Sequence, residues 1–152
     1  MLKHPPLRLE QSFFDLVQIE AIKGYDRGEY ETNQPELLDV EVNLASLKEP
    51  AKQWEVRLEV RLKPDEELPL PPYRLDLRGF GYFAVPNGDE DAETARMVAV
   101  NGASILYSSM REYVMMVTSR GPWGSVTLPT ISFTSLTVEA RGDGETDVGS
   151  TD

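Results

Sequence analysis

The chain has 152 residues, no cysteine and a formal net charge of −11. One domain of this size can hold a core without staples, and the lack of cysteine excludes disulfides, thiolate metal sites and cysteine nucleophiles. The acidity disfavours phosphate backbones and anionic membrane surfaces, so neither nucleic-acid binding nor direct membrane insertion is expected, and basic segments of partners are favoured.

Pro5, Pro6 and interspersed charges break the first ten residues. No secretory apolar core and no run of about 20 apolar residues can be drawn, so a soluble cytoplasmic protein is expected. From Leu7 to Ile22 the chain is rich in Phe, Leu, Val and Ile, and Leu16, Gln18 and Glu20 alternate against Val17, Ile19 and Ala21. A period of two predicts a strand. Gly24, Gly28 and Pro35 punctuate a loop that carries Tyr25 and Tyr30.

Val40, Val42 and Leu44 alternate with polar neighbours, and so do Trp54, Val56, Leu58, Val60 and Leu62 against Glu55, Arg57, Glu59 and Arg61. Such alternation marks an antiparallel sheet with one wet face. After the proline-broken loop at 64–72 the pattern restarts at Tyr73 and runs into Gly79, Phe80, Gly81, Tyr82 and Phe83. Asp89, Glu90, Asp91 and Glu93 then supply acids where a helix begins. Ala99, Ala103, Leu106, Met110, Tyr113 or Val114, and Val117 form a helical stripe, with Asn101 and Gly102 as a place where the helix breaks in two. Arg120, Gly121 and Pro122 stop it, and 126–133 is short and extended. The expected class is α+β: a four-stranded antiparallel sheet packed against a long helix, a single domain over 1–140. Residues 141–152, rich in Gly, Asp, Thr and Ser, read as a disordered acidic tail.

Catalytic signatures are absent. No Gly-rich loop ends in Lys-Ser or Lys-Thr, and Gly79 and Gly81 fit a strand with a close backbone approach better than a nucleotide fingerprint. The one histidine, His4, cannot make a triad or a metal cluster alone. The acidic groups at 65–67, 89–91 and 143–147 lack the spacing of a calcium loop and read as solvated charges. Neither an enzyme nor a cofactor or metal is expected. Large apolar residues in loops and strand ends, namely Phe13, Phe14, Tyr25, Tyr30, Tyr73 and Trp123, together with helix methionines Met97, Met110, Met115 and Met116, suit either a core or a surface that grips many sequences.

The run Ile105, Leu106, Tyr107, Ser108, Ser109, Met110, Arg111, Glu112 resembles the start of the long helix in the SecB family of protein-export chaperones. From Val117 through Ser119, Arg120, Gly121, Leu128 and Phe133 the chain is similar to the segment that follows it there. Gly79 to Phe83 resembles the family's glycine-rich strand end. The resemblance implies a SecB-like four-stranded sheet with a long helix, assembled as a homotetramer (a dimer of dimers). It implies apolar grooves that hold preproteins unfolded and deliver them to the export motor SecA. In some toxin–antitoxin systems such proteins act on antitoxins. The groove would be lined by Phe13, Phe14, Val17, Tyr25, Tyr30, Trp123, Val126 and Leu128. The SecA-facing acids would be Glu20 and Asp76, with Asp15 one position from a third. Ser108 and Ser109 replace the family's Pro-Tyr, and the β-prone 134–140 stands where a last helix is usual, so the lid over the groove is missing or becomes a strand.

The expected activity is therefore ATP-independent binding of unfolded polypeptide, by burial of client side chains at about 25 cal/mol per Å² before ordering costs. A dedicated antitoxin-binding chaperone of the same fold is the alternative. A small-ligand protein with a pocket between helix and sheet is the second.

Overall fold

Strict alternation in four segments and one helical stripe produce a sheet with a single long helix laid across it. The computed structural model describes residues 7–32, 38–48, 52–140 and 145–149. The elements are β1 (Arg8–Ala21), α1 (Arg27–Thr32), β2 (Leu38–Leu47), β3 (Gln53–Leu62), β4 (Tyr73–Ala84), α2 (Ala92–Thr118), β5 (Thr137–Ala140) and β6 (Glu145–Gly149). They form one six-stranded sheet in the order β1-β4-β3-β2-β6-β5, antiparallel throughout. The expected four-stranded sheet is present as β1-β4-β3-β2, under a long helix.

Trp54, Val56, Leu58, Val60 and Leu62 of β3 are buried beneath α2, and Leu75, Leu77 and Phe83 of β4 continue that layer. The helix contributes Val98, Ala99, Ala103, Leu106, Met110 and Val114. Its first turn is capped by Asp91, whose carboxylate accepts from the Thr94 N–H at 2.8 Å. That bond holds the Asp91 carboxyl below its ordinary value.

Two expectations fail here. The helix does not break at Asn101 and Gly102: α2 is continuous over 27 residues. The Asn101 amide instead donates to the Met97 carbonyl at 2.9 Å. Gly102 is there for packing, since a Cβ at that position would lie 2.8 Å from Val56 Cγ2 and 3.1 Å from Phe83 Cε2. Gly81 makes the matching demand from the sheet, where a Cβ would lie 2.6 Å from Phe83 Cε2 and 3.3 Å from Leu106 Cδ2. The two glycines let helix and sheet close around one phenylalanine ring.

The stretch from 141 onward, read as disordered, instead contains β6, which pairs with β2 on one side and β5 on the other. Residues 141–144 and 150–152 lie outside the described residues. Composition shows how little such a segment can bury, but backbone pairing to a neighbouring strand needs no apolar side chain. The β-prone 134–140 does become a strand in its second half, β5.

Candidate functional site

β1 is an edge strand, and α2 lies chiefly over β3 and β4, so the helix-side face of β1 is only partly covered. Its ladder with β4 shifts between Phe14 and Leu16. Asp15 is the extra residue of that bulge, and inserting one residue re-aims everything beyond it. Phe14 is opposite Gly79, and Val17, Ile19 and Ala21 are opposite Leu77, Leu75 and Tyr73, all helix-side positions. Phe14 meets Tyr113 of α2 edge to face at 5.6 Å between ring centres. Met116, one turn beyond Tyr113, is 58% exposed, and Val17 is 41% exposed. An apolar strip therefore runs along β1 beside the last turns of α2.

The strip ends at an aromatic corner. The Trp123 ring packs on Tyr25 at 5.5 Å, and Tyr25 meets Tyr30 at 5.9 Å. Trp123 is 43% exposed, but its Nε1–H donates to the Ile22 carbonyl at 3.0 Å, tying the corner to the end of β1. Burial, then the charge of Tyr25, pushes the Tyr30 phenol above its ordinary value. Behind the corner stands Tyr73, almost fully buried. Its hydroxyl donates to the Gly124 carbonyl at 3.0 Å and accepts from the Trp123 N–H at 3.1 Å. Gly121 is required here because a Cβ would come within 2.4 Å of the Tyr73 oxygen.

Two further expected groove residues are held inward. Val126 is half-buried, and its N–H donates to Thr118 Oγ1 at 2.9 Å. Leu128 is 2% exposed and belongs to the core, with its carbonyl accepting from Arg111 Nε at 3.0 Å. The Tyr107 hydroxyl donates to the Pro129 carbonyl. Burial pushes the Tyr107 phenol up to about 12, with Arg111 acting in the opposite sense.

Thus Phe14 and Val17 lie on the helix side of β1, Tyr25, Tyr30 and Trp123 pack together at the end of that strand, Val126 is half-buried and Leu128 is in the core, and Phe13 is elsewhere. Phe13 is opposite Phe80 on the helix-free face, stacked on Phe80 at 5.5 Å with Tyr82 at 6.1 Å. Adjacent residues on a strand cannot share a face, and the Phe13–Phe14 step precedes the bulge. Sequence reasoning placed Tyr113 on the helical stripe but not in the groove, and had no register by which to join Tyr113 or Met116 to β1. Their helical spacing to Met110 and Val117 was the available signal.

The expected acids all lie on the helix-free face, among arginines. Asp15 receives Arg78 Nε at 2.9 and 3.0 Å and Nη2 at 2.8 Å, a fork that holds its carboxyl below the usual value. Asp76 is 3.6 Å from Arg61 Nε, and Arg61 also reaches Asp39 and Glu41 at 3.8 Å and bonds Glu59. Glu20 is exposed and stands opposite Arg74. The face is a mixed-sign network rather than a bare acidic patch.

Among the described residues no cluster of three His, Asp or Glu could hold a metal, and no helix is long and apolar enough to cross a membrane. His4 lies outside the described residues. The space between helix and sheet is filled by the core. One open cleft of about 890 Å³ lies at the start of α2, lined by residues including Arg8, Val85, Glu93, Arg96, Met97 and Asn101.

The family model described as preprotein translocase subunit SecB matches residues 3–142. Among solved structures, the chain is similar to the SecB-like chaperone Rv1957 of Mycobacterium tuberculosis, which was solved in complex with a ChAD peptide from the Rv1956 HigA1 antitoxin. That match has 18% identity, covers 83% of this chain and 91% of the other, and has a TM-score of 0.63. A protein of unknown function from Streptococcus agalactiae matches at 16% identity, covering 82% and 97%, with a TM-score of 0.49. No curated protein sequence matches.

Proposed function

This chain belongs to the SecB family, and from that premise we propose that it is an ATP-independent chaperone that holds non-native polypeptide on the strip from Phe14 and Val17 to Trp123. The observation that carries the reading is the pair of exposed apolar ends of that strip, Val17 and Trp123, on a frame made rigid by the Tyr73 bonds. A rigid, aromatic-rich, half-open surface binds many sequences at small ordering cost. Release then comes from transfer to a partner rather than from nucleotide hydrolysis.

The finer parts of the proposal follow the family: a homotetramer in the cytoplasm, preproteins as clients and SecA as recipient. Within the SecA-facing set, Asp15 and Asp76 are engaged by Arg78 and Arg61, while Glu20 is exposed to solvent. An antitoxin client is a narrower version of the same groove chemistry, supported by the peptide in the mycobacterial structure.

The test is binding of a reduced, unfolded model protein without nucleotide, with light scattering for mass. Micromolar or tighter binding by a tetramer is expected, and Val17→Asp and Trp123→Ala should each weaken it by about tenfold, the equivalent of 1.4 kcal/mol. A wild-type chain that neither binds nor suppresses client aggregation would overturn the reading.

A further inference from the structure

We propose that the β5–β6 hairpin is a placeholder on the β2 edge, and that extended client segments alternating apolar and basic residues displace it and pair with β2. This rests on the holding-chaperone reading above and adds a second client surface to it, on the opposite side of the sheet from the apolar strip.

The four-stranded sheet has two edges of different quality. β1 forms one, and its ladder shifts register between Leu9 and Gln11 and again between Phe14 and Leu16. Bulges twist an edge and spoil it as a template for another strand. β2 forms the other and has no such irregularity: Leu38 to Leu47 run in unbroken register against β3. Its outer side demonstrably takes a strand, because β6 pairs there.

β6 is a poor fit for that edge. It pairs with β2 at four positions, Val42 to Ala45, on a strand of ten residues. Its sequence, Glu145, Thr146, Asp147, Val148, Gly149, is dominated by residue types depleted in strands. Its sequence also carries two acids, Glu145 and Asp147, on a strand that pairs with a neighbour bearing the exposed acids Asp39 and Glu41.

A client strand of the right pattern would do better on both faces. Strand neighbours directly opposite each other share a face. Apolar client residues beside Leu38 and Val40, both only half-buried, would extend the core layer. Basic residues beside Asp39 and Glu41 would meet carboxylates whose ion pairs among the described residues are the distant Arg61 contacts at 3.8 Å. Backbone pairing supplies affinity and the alternate side chains supply selectivity.

The absence of native cysteine permits a reversible lock. Asn43 and Asp147 are directly opposed, so Asn43→Cys with Asp147→Cys pins β6 to β2 when oxidised and frees it when reduced. The probe is a fluorescently labelled peptide of alternating valine and lysine, with a scrambled peptide of the same composition as control. The oxidised double variant should bind the alternating peptide at least about fivefold more weakly than its own reduced form. A chain ending at Leu136 should bind it more tightly than wild type. The redox arm compares one full-length chain with itself, so it does not depend on the truncated chain folding. Equal binding in both redox states, while wild type still binds unfolded protein, would overturn this proposal and leave the chaperone reading intact. Failure of wild type to bind any unfolded protein would remove both.

Discussion

The Tyr73 hydroxyl joins three segments: it donates to the Gly124 carbonyl, accepts from the Trp123 N–H, and lies 3.4 Å from the Thr118 carbonyl at the end of α2. Tyr73→Phe keeps the ring and leaves those partners unsatisfied behind the aromatic corner. It should cost about 1–3 kcal/mol in chemical denaturation, and client affinity should fall with it because Trp123 loses its backbone anchor. Titratable residues give signed expectations. Tyr107 has a folded pKa raised to about 12, so the unfolded chain loses this proton first as pH rises. Its stabilising contribution is complete below the ordinary tyrosine pKa near 10 and is lost as pH climbs towards about 12. Tyr107→Phe should flatten that alkaline limb in a denaturation series. Asp15, lowered by Arg78, acts at the other end. Its contribution is present above the unfolded carboxylate pKa and is lost as pH falls through the lower folded value, and Arg78→Gln should reduce that acid sensitivity.

At the scale of elements, the packing of α2 on the sheet depends on two missing side chains. Gly81 and Gly102 face the same Phe83 ring, which is fully buried. Gly81→Ala should therefore cost about 1–3 kcal/mol through overpacking, measured as a fall in the denaturation midpoint with the slope unchanged. The Gly81→Ala, Gly102→Ala double variant should depart from additivity, because both methyls compete for one ring. The bulge at Asp15 is the other element-scale device. It separates Phe13, stacked on Phe80 on the helix-free face, from Val17 on the helix side, and its carboxylate is fixed by Arg78 rather than left to water.

For the whole molecule, the two faces of the sheet divide the work. The helix side holds the core and, at the β1 edge, the exposed strip. The helix-free side holds interleaved acids and arginines centred on the nearly buried Glu59. On the chaperone reading, the net charge of −11 favours basic clients on encounter. Added salt should therefore slow association of a basic client more than it speeds dissociation, a split that stopped-flow binding separates.

The four main strands, the long helix and the wet and dry faces of the sheet were legible in the sequence because each is a local pattern: a period of two, a helical stripe, or a proline that ends a run. The family resemblance was legible for the same reason, in one nearly continuous stretch from Ile105 to Phe133. Phe13, Phe14, Tyr25, Tyr30, Tyr73 and Trp123 were singled out as large apolar residues in loops and strand ends; of these, Tyr25, Tyr30 and Trp123 pack on one another, and Phe13 stacks on the helix-free face. What the sequence alone did not determine is register. One extra residue at Asp15 flips the parity of β1, so that Val17, Ile19 and Ala21 join Phe14 on the helix side while Phe13 stays on the other face. Leu128 lies in the core, and Glu145–Gly149, within a Gly/Asp/Thr-rich stretch, forms a strand by backbone pairing. Gly102 reads as a helix breaker until the Val56 and Phe83 side chains beneath it are in place. Each of these is decided by a neighbour distant in the chain, and the pattern of one segment carries no record of which neighbour the tertiary fold will bring to it.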